Sequence, residues 1–328
     1  MNQEILALTK EAKEYADLLN PLRDEISRVI VGQQGVIDRL VISLVSDGHV
    51  LLEGVPGIAK TLLIKTLSQA IDGSFSRVQF TPDLLPADIT GTKIFNQQSC
   101  SFSTVKGPIF SQFVLADEIN RAPPKVQSAL LEAMQERQVT IQGETYPLPS
   151  PFFVLATENP IEHEGTYPLP EAQMDRFMFK IFMGYPSKAE EVTILDRFTE
   201  GTKITPRPVI TAGTILSLQK FLPRIYADIE IKKYVTSIVD ATRRPGKYGL
   251  PLADYIAYGA SPRATIFLVI GAKAHALLRG RGYVVPEDVK AIAGEVMRHR
   301  IILTYQAEAD GITTDTITSQ ILQKVPVP

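Results

Sequence analysis

The chain reads as an α/β protein with a parallel sheet, followed by a second domain made of helices. Short apolar runs alternate with stretches of helical periodicity up to about residue 183, the pattern of a parallel sheet. The first run, Val50-Leu-Leu52, passes through Gly54-Val-Pro-Gly-Ile-Ala-Lys-Thr61 into a helix, a strand–turn–helix order that open parallel sheets use. After Tyr185-Pro186 the texture changes to helices. A length of 328 residues exceeds one typical core, so two domains are expected, 1–185 and 186–328.

Taken in order, Ile5, Leu8, Ala12, Tyr15 and Leu19 form one helical stripe over residues 2–20, suited to packing on the body or on a neighbour. A helix from Glu25 then stops near Gly32 and restarts through Val36, Ile37, Leu40, Val41 and Leu44. By itself Val31-Gly32-Gln33 is a helix junction. Ahead of a phosphate loop it could set an apolar wall and a backbone edge against an adenine ring.

Thr61 opens a helical run, with Leu62, Leu63, Thr66, Leu67 and Ala70 at helical spacing. Backbone N–H groups from Gly54, Val55, Gly57, Ile58 and Ala59, with the helix N-terminus, can hold phosphate oxygens; Pro56, which has none, shapes the turn. Lys60 would reach the β/γ-phosphates of ATP, and the Thr61 hydroxyl would ligate Mg2+. The residue before the lysine is usually glycine, and here it is Ala59. Its methyl group is harmless if φ is negative there, with Gly57 supplying the special geometry. A chance glycine turn is the alternative.

Ser76–Thr81 reads as a second strand, Phe113–Ala116 as a third ending in Asp117-Glu118, and Phe152–Ala156 as a fourth ending in Thr157-Glu-Asn-Pro160. Phe177–Met183 is a fifth, directly after Asp175-Arg176, and residues 126–136 form a helix. Two hairpins interrupt this order. One joins Lys93–Asn96 to Ser101–Lys106 around Gln97–Cys100; the other joins Val139–Ile141 to Thr145–Leu148 at Gly143. Hairpins usually decorate a surface, but two inserted into a nucleotide-binding body point to a working role. The second domain opens on a capping box, Ser187 to Glu190, with further helices at 214–221, 229–242, 262–278, 286–297 and 314–324. A short run, Ile301–Tyr305, lies between the last two.

Composition narrows the function. Lys+Arg 34 against Asp+Glu 36, a net charge of -2, favours neither nucleic acid nor an anionic membrane. Cys100 stands alone and the four histidines are scattered, so neither a disulfide framework nor a cysteine or histidine metal site is expected. No apolar run approaches a membrane span, and the polar N-terminus is unlike a secretory signal, so the expected location is cytoplasmic.

Lys60, Asp117, Glu118 and Asn159 all follow strand ends, where the sites of open parallel sheets lie. Asp117 is placed to hold Mg2+ through water, and Glu118 to orient and deprotonate the attacking water. Asn159 is either a turn residue before Pro160 or a second water-positioning group. Together with Leu115-Ala-Asp-Glu-Ile-Asn-Arg-Ala122, Ala156-Thr-Glu-Asn-Pro160, Pro170-Glu-Ala-Gln-Met-Asp-Arg-Phe177 and Ala260-Ser-Pro-Arg-Ala264, the phosphate-loop segment resembles the MoxR family of AAA+ ATPases over residues 25–305.

The resemblance implies an α/β core with a five-stranded parallel sheet of order 5-1-4-3-2 and an all-helical C-terminal lid. It implies that Asn159 is sensor 1, Arg263 sensor 2, and Arg176 an arginine finger acting on the next subunit's ATP. Residues 92–106 become the helix-2 insert and 138–148 the hairpin before sensor 1. The implied function is a chaperone-like remodeller, a homo-oligomeric, hexameric ring, whose client is often a protein with a von Willebrand factor A domain. Alternatives are a subunit driving metal insertion into a porphyrin, a nucleic-acid motor, which the charge balance opposes, and a non-hydrolysing nucleotide switch, which Glu118 and Asn159 oppose.

Overall fold

The computed structural model describes residues 3–97, 100–159, 165–201 and 204–328. The Gln98 and Ser99 part of the first hairpin's tip, and Pro160 after Asn159, lie outside the described residues.

The chain opens with α1 (Gln3–Val29) and α2 (Gln34–Val45). The N-terminal stripe and the helix from Glu25 are one continuous helix, with Pro21 inside it. That helix buries Ala12, Ala16, Leu19, Leu22 and Ile26 against the body, enough apolar surface to keep the two turns joined despite the proline. The junction at residues 30–33 falls where expected, with Gly32 at φ 69° and Gln33 at φ 58°.

The core follows as β1 (Val50–Gly54), α3 (Lys60–Ala70), β2 (Phe75–Gln79), α4 (Pro86–Thr90), the hairpin β3 (Gly91–Asn96) and β4 (Ser101–Lys106), β5 (Phe113–Asp117) and α5 (Pro124–Glu136). It continues through the hairpin β6 (Gln138–Ile141) and β7 (Glu144–Pro147), then β8 (Phe153–Glu158), α6 (Glu171–Met174) and β9 (Phe179–Met183). Among the described residues, β2, β5, β8, β1 and β9 form a five-stranded parallel sheet in that spatial order, which is the expected 5-1-4-3-2 read from the other edge.

The strands read as unbroken apolar runs because both faces of the sheet are covered. Leu52, Leu115 and Leu155 face α1, α2, α3 and the C-terminal helices. Leu51, Val114, Ala116, Val154 and Ala156 face α5 and the hairpin β6–β7.

The rest is helical: α7 (Lys188–Thr199), α8 (Ala212–Phe221), α9 (Ile229–Arg243), α10 (Pro262–Leu278), α11 (Pro286–Met297), α12 (Tyr305–Ala309) and α13 (Thr314–Lys324). A ribbon of β10 (Ile256–Tyr258) and β11 (Ile302–Leu303) adds a small exception, and takes up part of the run at Ile301–Tyr305. Ser187 Oγ accepts from Glu190 N while the Glu190 carboxylate accepts from Ser187 N, so the predicted capping box starts α7. α10 packs on α1 and α2, and α11 on β9, so one apolar core runs from the sheet into the C-terminal helices. Among the described residues no helix is long and apolar enough to cross a membrane.

Candidate nucleotide site

β1 delivers the chain to Gly54 at the carboxyl edge of the sheet, and α3 begins at Lys60. Gly54 admits no side chain, because a Cβ there would lie 2.6 Å from Ile58 Cδ1 and 2.8 Å from the Met183 carbonyl. Gly57 has φ 83°, as the loop requires. Ala59 corrects the sequence expectation: its φ is 64° and its ψ 27°, in the left-handed region rather than at negative φ. The methyl group is therefore accommodated at a cost, on the order of 1–2 kcal/mol for a non-glycine residue.

Lys60 Nζ donates to the Gly54 carbonyl at 2.6 Å and to the Glu158 carbonyl at 3.4 Å, between the ends of β1 and β8. Burial pushes its pKa down, while Asp117, Glu118 and Glu53 pull it back up. Thr61 follows on the first turn of α3. Asp117 ends β5, is 8% exposed, and accepts from Thr157 Oγ1 at 2.6 Å on one oxygen. On the other it accepts from Arg77 Nε and Nη2 at 3.0 and 2.7 Å.

Glu118 has φ 57°, an unusual backbone for glutamate and of the kind found at working sites. Its carboxylate accepts from Gln79 Nε2 at 2.8 Å and from Arg121 Nη1 at 3.0 Å. Its N–H donates to Thr157 Oγ1 at 2.9 Å. Asn159, buried, follows β8 directly.

Beside this group opens a cavity of ≈ 640 Å³. Val31 and Gln33 line it together with Pro56, Gly57, Ile58, Ala59 and Leu62 of the loop and α3, and with Tyr185, Ile194 and Leu195. Its lining is largely apolar, as a purine needs. Gly32 lies between Val31 and Gln33, and a Cβ on it would lie 2.1 Å from a Glu190 carboxylate oxygen. Gln33 Nε2 donates to the Gly184 carbonyl at 3.0 Å, tying the junction to the end of β9.

Of the predicted residues, Gly32, Gly54, Val55, Lys60, Thr61, Asp117, Glu118, Asn159, Arg176 and Arg263 do not line this cavity. Arg263 lies on the first turn of α10 with Nη1 3.6 Å from Asp175, the residue before Arg176. Arg263 thus stands beside the segment that carries Arg176, and neither residue lines the base cavity.

Sequence reasoning missed Arg77, Gln79 and Thr157, which hold the acid pair. The available signal was the alternation of β2, which puts Arg77 and Gln79 two apart on one face, beside Leu115 and Asp117 of β5. Reading it required knowing that β2 neighbours β5.

A parallel sheet with a glycine-turn lysine after β1, an acid pair at the end of β5 with β8 between them, and a helical lid defines a phosphate-loop ATPase of the AAA+ class. The family models agree: residues 49–179 match "ATPase family associated with various cellular activities (AAA)", and residues 252–321 match "AAA lid domain".

The chain is 50% identical to Chaperone MoxR1 of Mycobacterium tuberculosis over 93% of its length and 81% of that protein's. It is 33% identical to Protein MoxR of Methylorubrum extorquens over 96% of each. It superposes with TM-score 0.92 and 48% identity on the crystal structure of a candidate ATPase from Cytophaga hutchinsonii, over 100% of both chains. The chain belongs to the MoxR family of AAA+ ATPases.

Proposed function

We propose that this ATPase works as a chaperone-like remodeller, assembling into a ring in the cytoplasm and assisting maturation or cofactor insertion in a protein client. The client class that fits the family is a protein carrying a von Willebrand factor A domain. Residues 1–185 form the nucleotide-binding domain and 186–328 its lid. The observation that supports the ring is that Arg263 of the lid stands 3.6 Å from Asp175, the residue directly before Arg176. The family assigns Arg176 to a nucleotide held by the next copy of the chain, and Arg263, on the helix beside that segment, joins it there.

Within one copy, the N–H groups of Gly54, Val55, Gly57, Ile58 and Ala59 and the α3 terminus cradle the phosphates, and Lys60 swings from the Gly54 carbonyl toward the β/γ-phosphates. Val31, Gly32, Gln33 and Leu62 surround the base. Thr61 and Asp117 suit Mg2+, an ion that takes one or two protein oxygens and completes its shell with phosphate and water. Among the described residues no group of three His, Cys, Asp or Glu forms a cage of its own, which fits that shared arrangement. The bound metal would neutralise charge on the phosphates. Glu118 serves as base toward the attacking water, and Asn159 orients that water. For this the Glu118 carboxylate turns from Gln79 and Arg121 toward the nucleotide.

The test uses Glu118→Gln, which keeps the shape and loses the base, with Lys60→Ala as the control that cannot hold phosphate. With ATP, Glu118→Gln should sediment as a ring, turn over at a small fraction of the wild-type rate, and retain a client protein that Lys60→Ala does not retain. Wild-type turnover in Glu118→Gln would remove its assignment as base. A chain that stays monomeric with ATP would remove the ring.

A further inference from the structure

Asp175 is a junction between the core and the lid. Each of its carboxylate oxygens lies 2.9 Å from Ser261 Oγ, which donates to the carboxylate, and Oδ1 also accepts from Arg300 Nε at 2.7 Å. Arg263 Nη1 stands 3.6 Å from Oδ2. Arg300, in the turn that follows α11, is 5% exposed. Its remaining nitrogens donate to the carbonyls of Asp175, Phe177 and Met178, at 2.9, 2.6 and 3.2 Å. Ser261 is also the N-cap of α10 and accepts from Arg263 N at 3.1 Å. The segment that carries Arg176 is thus fastened both to the first turn of the helix that carries Arg263 and to the turn that follows α11.

The charges divide the two guanidiniums into a fixed one and a releasable one. Arg300 is buried and hydrogen-bonded along the whole segment, so leaving it without its carboxylate strands a charge away from water. Burial pushes its pKa down to about 10, Asp175 opposing the shift, so it is still a cation at neutral pH. Arg263 has a side chain 42% exposed and an ion pair too long for a hydrogen bond. A pair of that kind is worth little, and a polyphosphate competes for it well. One carboxylate shared by two guanidiniums also leaves a positive excess beside Arg176.

We infer that Asp175 is a positioning residue for ATP hydrolysis: it presents Arg176 and Arg263 as one unit to the same phosphate group, and holds Arg263 aside until that phosphate arrives. This rests on the reading of both arginines as acting on a neighbour's nucleotide.

The experiment measures kcat and the affinity for a fluorescent ATP analogue in the assembled full chain, for Asp175→Asn, Arg176→Ala, Arg263→Ala and the Asp175→Asn/Arg263→Ala pair. Asp175→Asn keeps the size and the Ser261 contact while removing the charge. It should lower kcat about tenfold, the size of one charge-assisted contact, and leave nucleotide affinity within about twofold, because the base cavity is elsewhere. Arg263→Ala alone should also cost about tenfold, but added to Asp175→Asn it should cost less than about threefold more, since both act through one element. Should Asp175→Asn fail to fold, Asp175→Asn/Arg300→Met removes both members of the buried pair and carries the same test.

Effects that multiply in full, or a wild-type kcat in Asp175→Asn or in its Arg300→Met companion, overturn the role of Asp175. If Arg176→Ala and Arg263→Ala both keep wild-type kcat, the reading of the arginines fails and this inference with it. If they lose activity while the Asp175 effect stays independent, only the coupling is lost.

Discussion

Ala59 is a methyl-bearing residue in a position that other phosphate loops give to glycine, and its left-handed backbone places it at the start of α3. The Cβ makes this conformation costly, whereas glycine adopts it freely. Glycine would bring a larger unfolded-state entropy, which offsets only part of the gain. Ala59→Gly should therefore be more stable by about 1 kcal/mol, read as a higher denaturant midpoint with an unchanged slope. Equal or lower stability would mean that the loop relieves the strain elsewhere. Glu118 shares the unusual backbone at φ 57°, but the role proposed for it needs a carboxylate, which glycine lacks.

At the level of elements, the two hairpins are joined to each other. Lys93 Nζ pairs with Glu144 at 2.7 Å, Thr104 Oγ1 and Tyr146 OH lie 2.9 Å apart, and Tyr146 OH also donates to Glu144. Lys106 lies over the rings of Phe110 and Tyr146. Beyond this brace the first hairpin projects an aromatic pair, Phe95 and Phe102, with ring centroids 5.2 Å apart and exposures of 49% and 68%. Neither ring supports the core, so Phe95→Ser/Phe102→Ser should change unfolding free energy by less than about 1 kcal/mol. Basal ATP hydrolysis should stay at the wild-type rate while ATP-dependent action on the client is lost. Client remodelling at the normal rate in this variant would make the hairpin a surface feature only.

For the whole molecule, the role proposed for Arg176 would make the active site a joint product of two chains. Arg176→Ala should bind ATP almost normally and lose about 10³-fold or more in rate. Lys60→Ala leaves its own pocket without its phosphate ligand but keeps a sound Arg176. In mixed rings, an Arg176→Ala pocket meets the intact arginine of a Lys60→Ala neighbour, so the mixture should recover part of the activity that neither variant has alone. Energy transfer between labelled chains shows whether subunits have exchanged. Exchange without recovery would mean that Arg176 does not act across an interface.

Periodicity and spacing by themselves determined the sheet strands, the phosphate loop, the acid pair after β5, the capping box and most lid helices. These depend on neighbours within a few residues, so the order of residue types carries them. The backbone at Ala59, the continuity of α1 through Pro21 and the partners of the acid pair were decided by tertiary structure. Proline breaks a helix unless packing on a body holds both halves, and that body is built from residues far along the chain. Arg77 and Gln79 are ordinary strand residues until β2 is laid beside β5, and the sheet order that does so is not written within β2. Asp175 is the fullest case: its partners Ser261, Arg263 and Arg300 come from about 85 to 125 residues away, and only the docking of the lid on β9 brings one carboxylate within reach of all three.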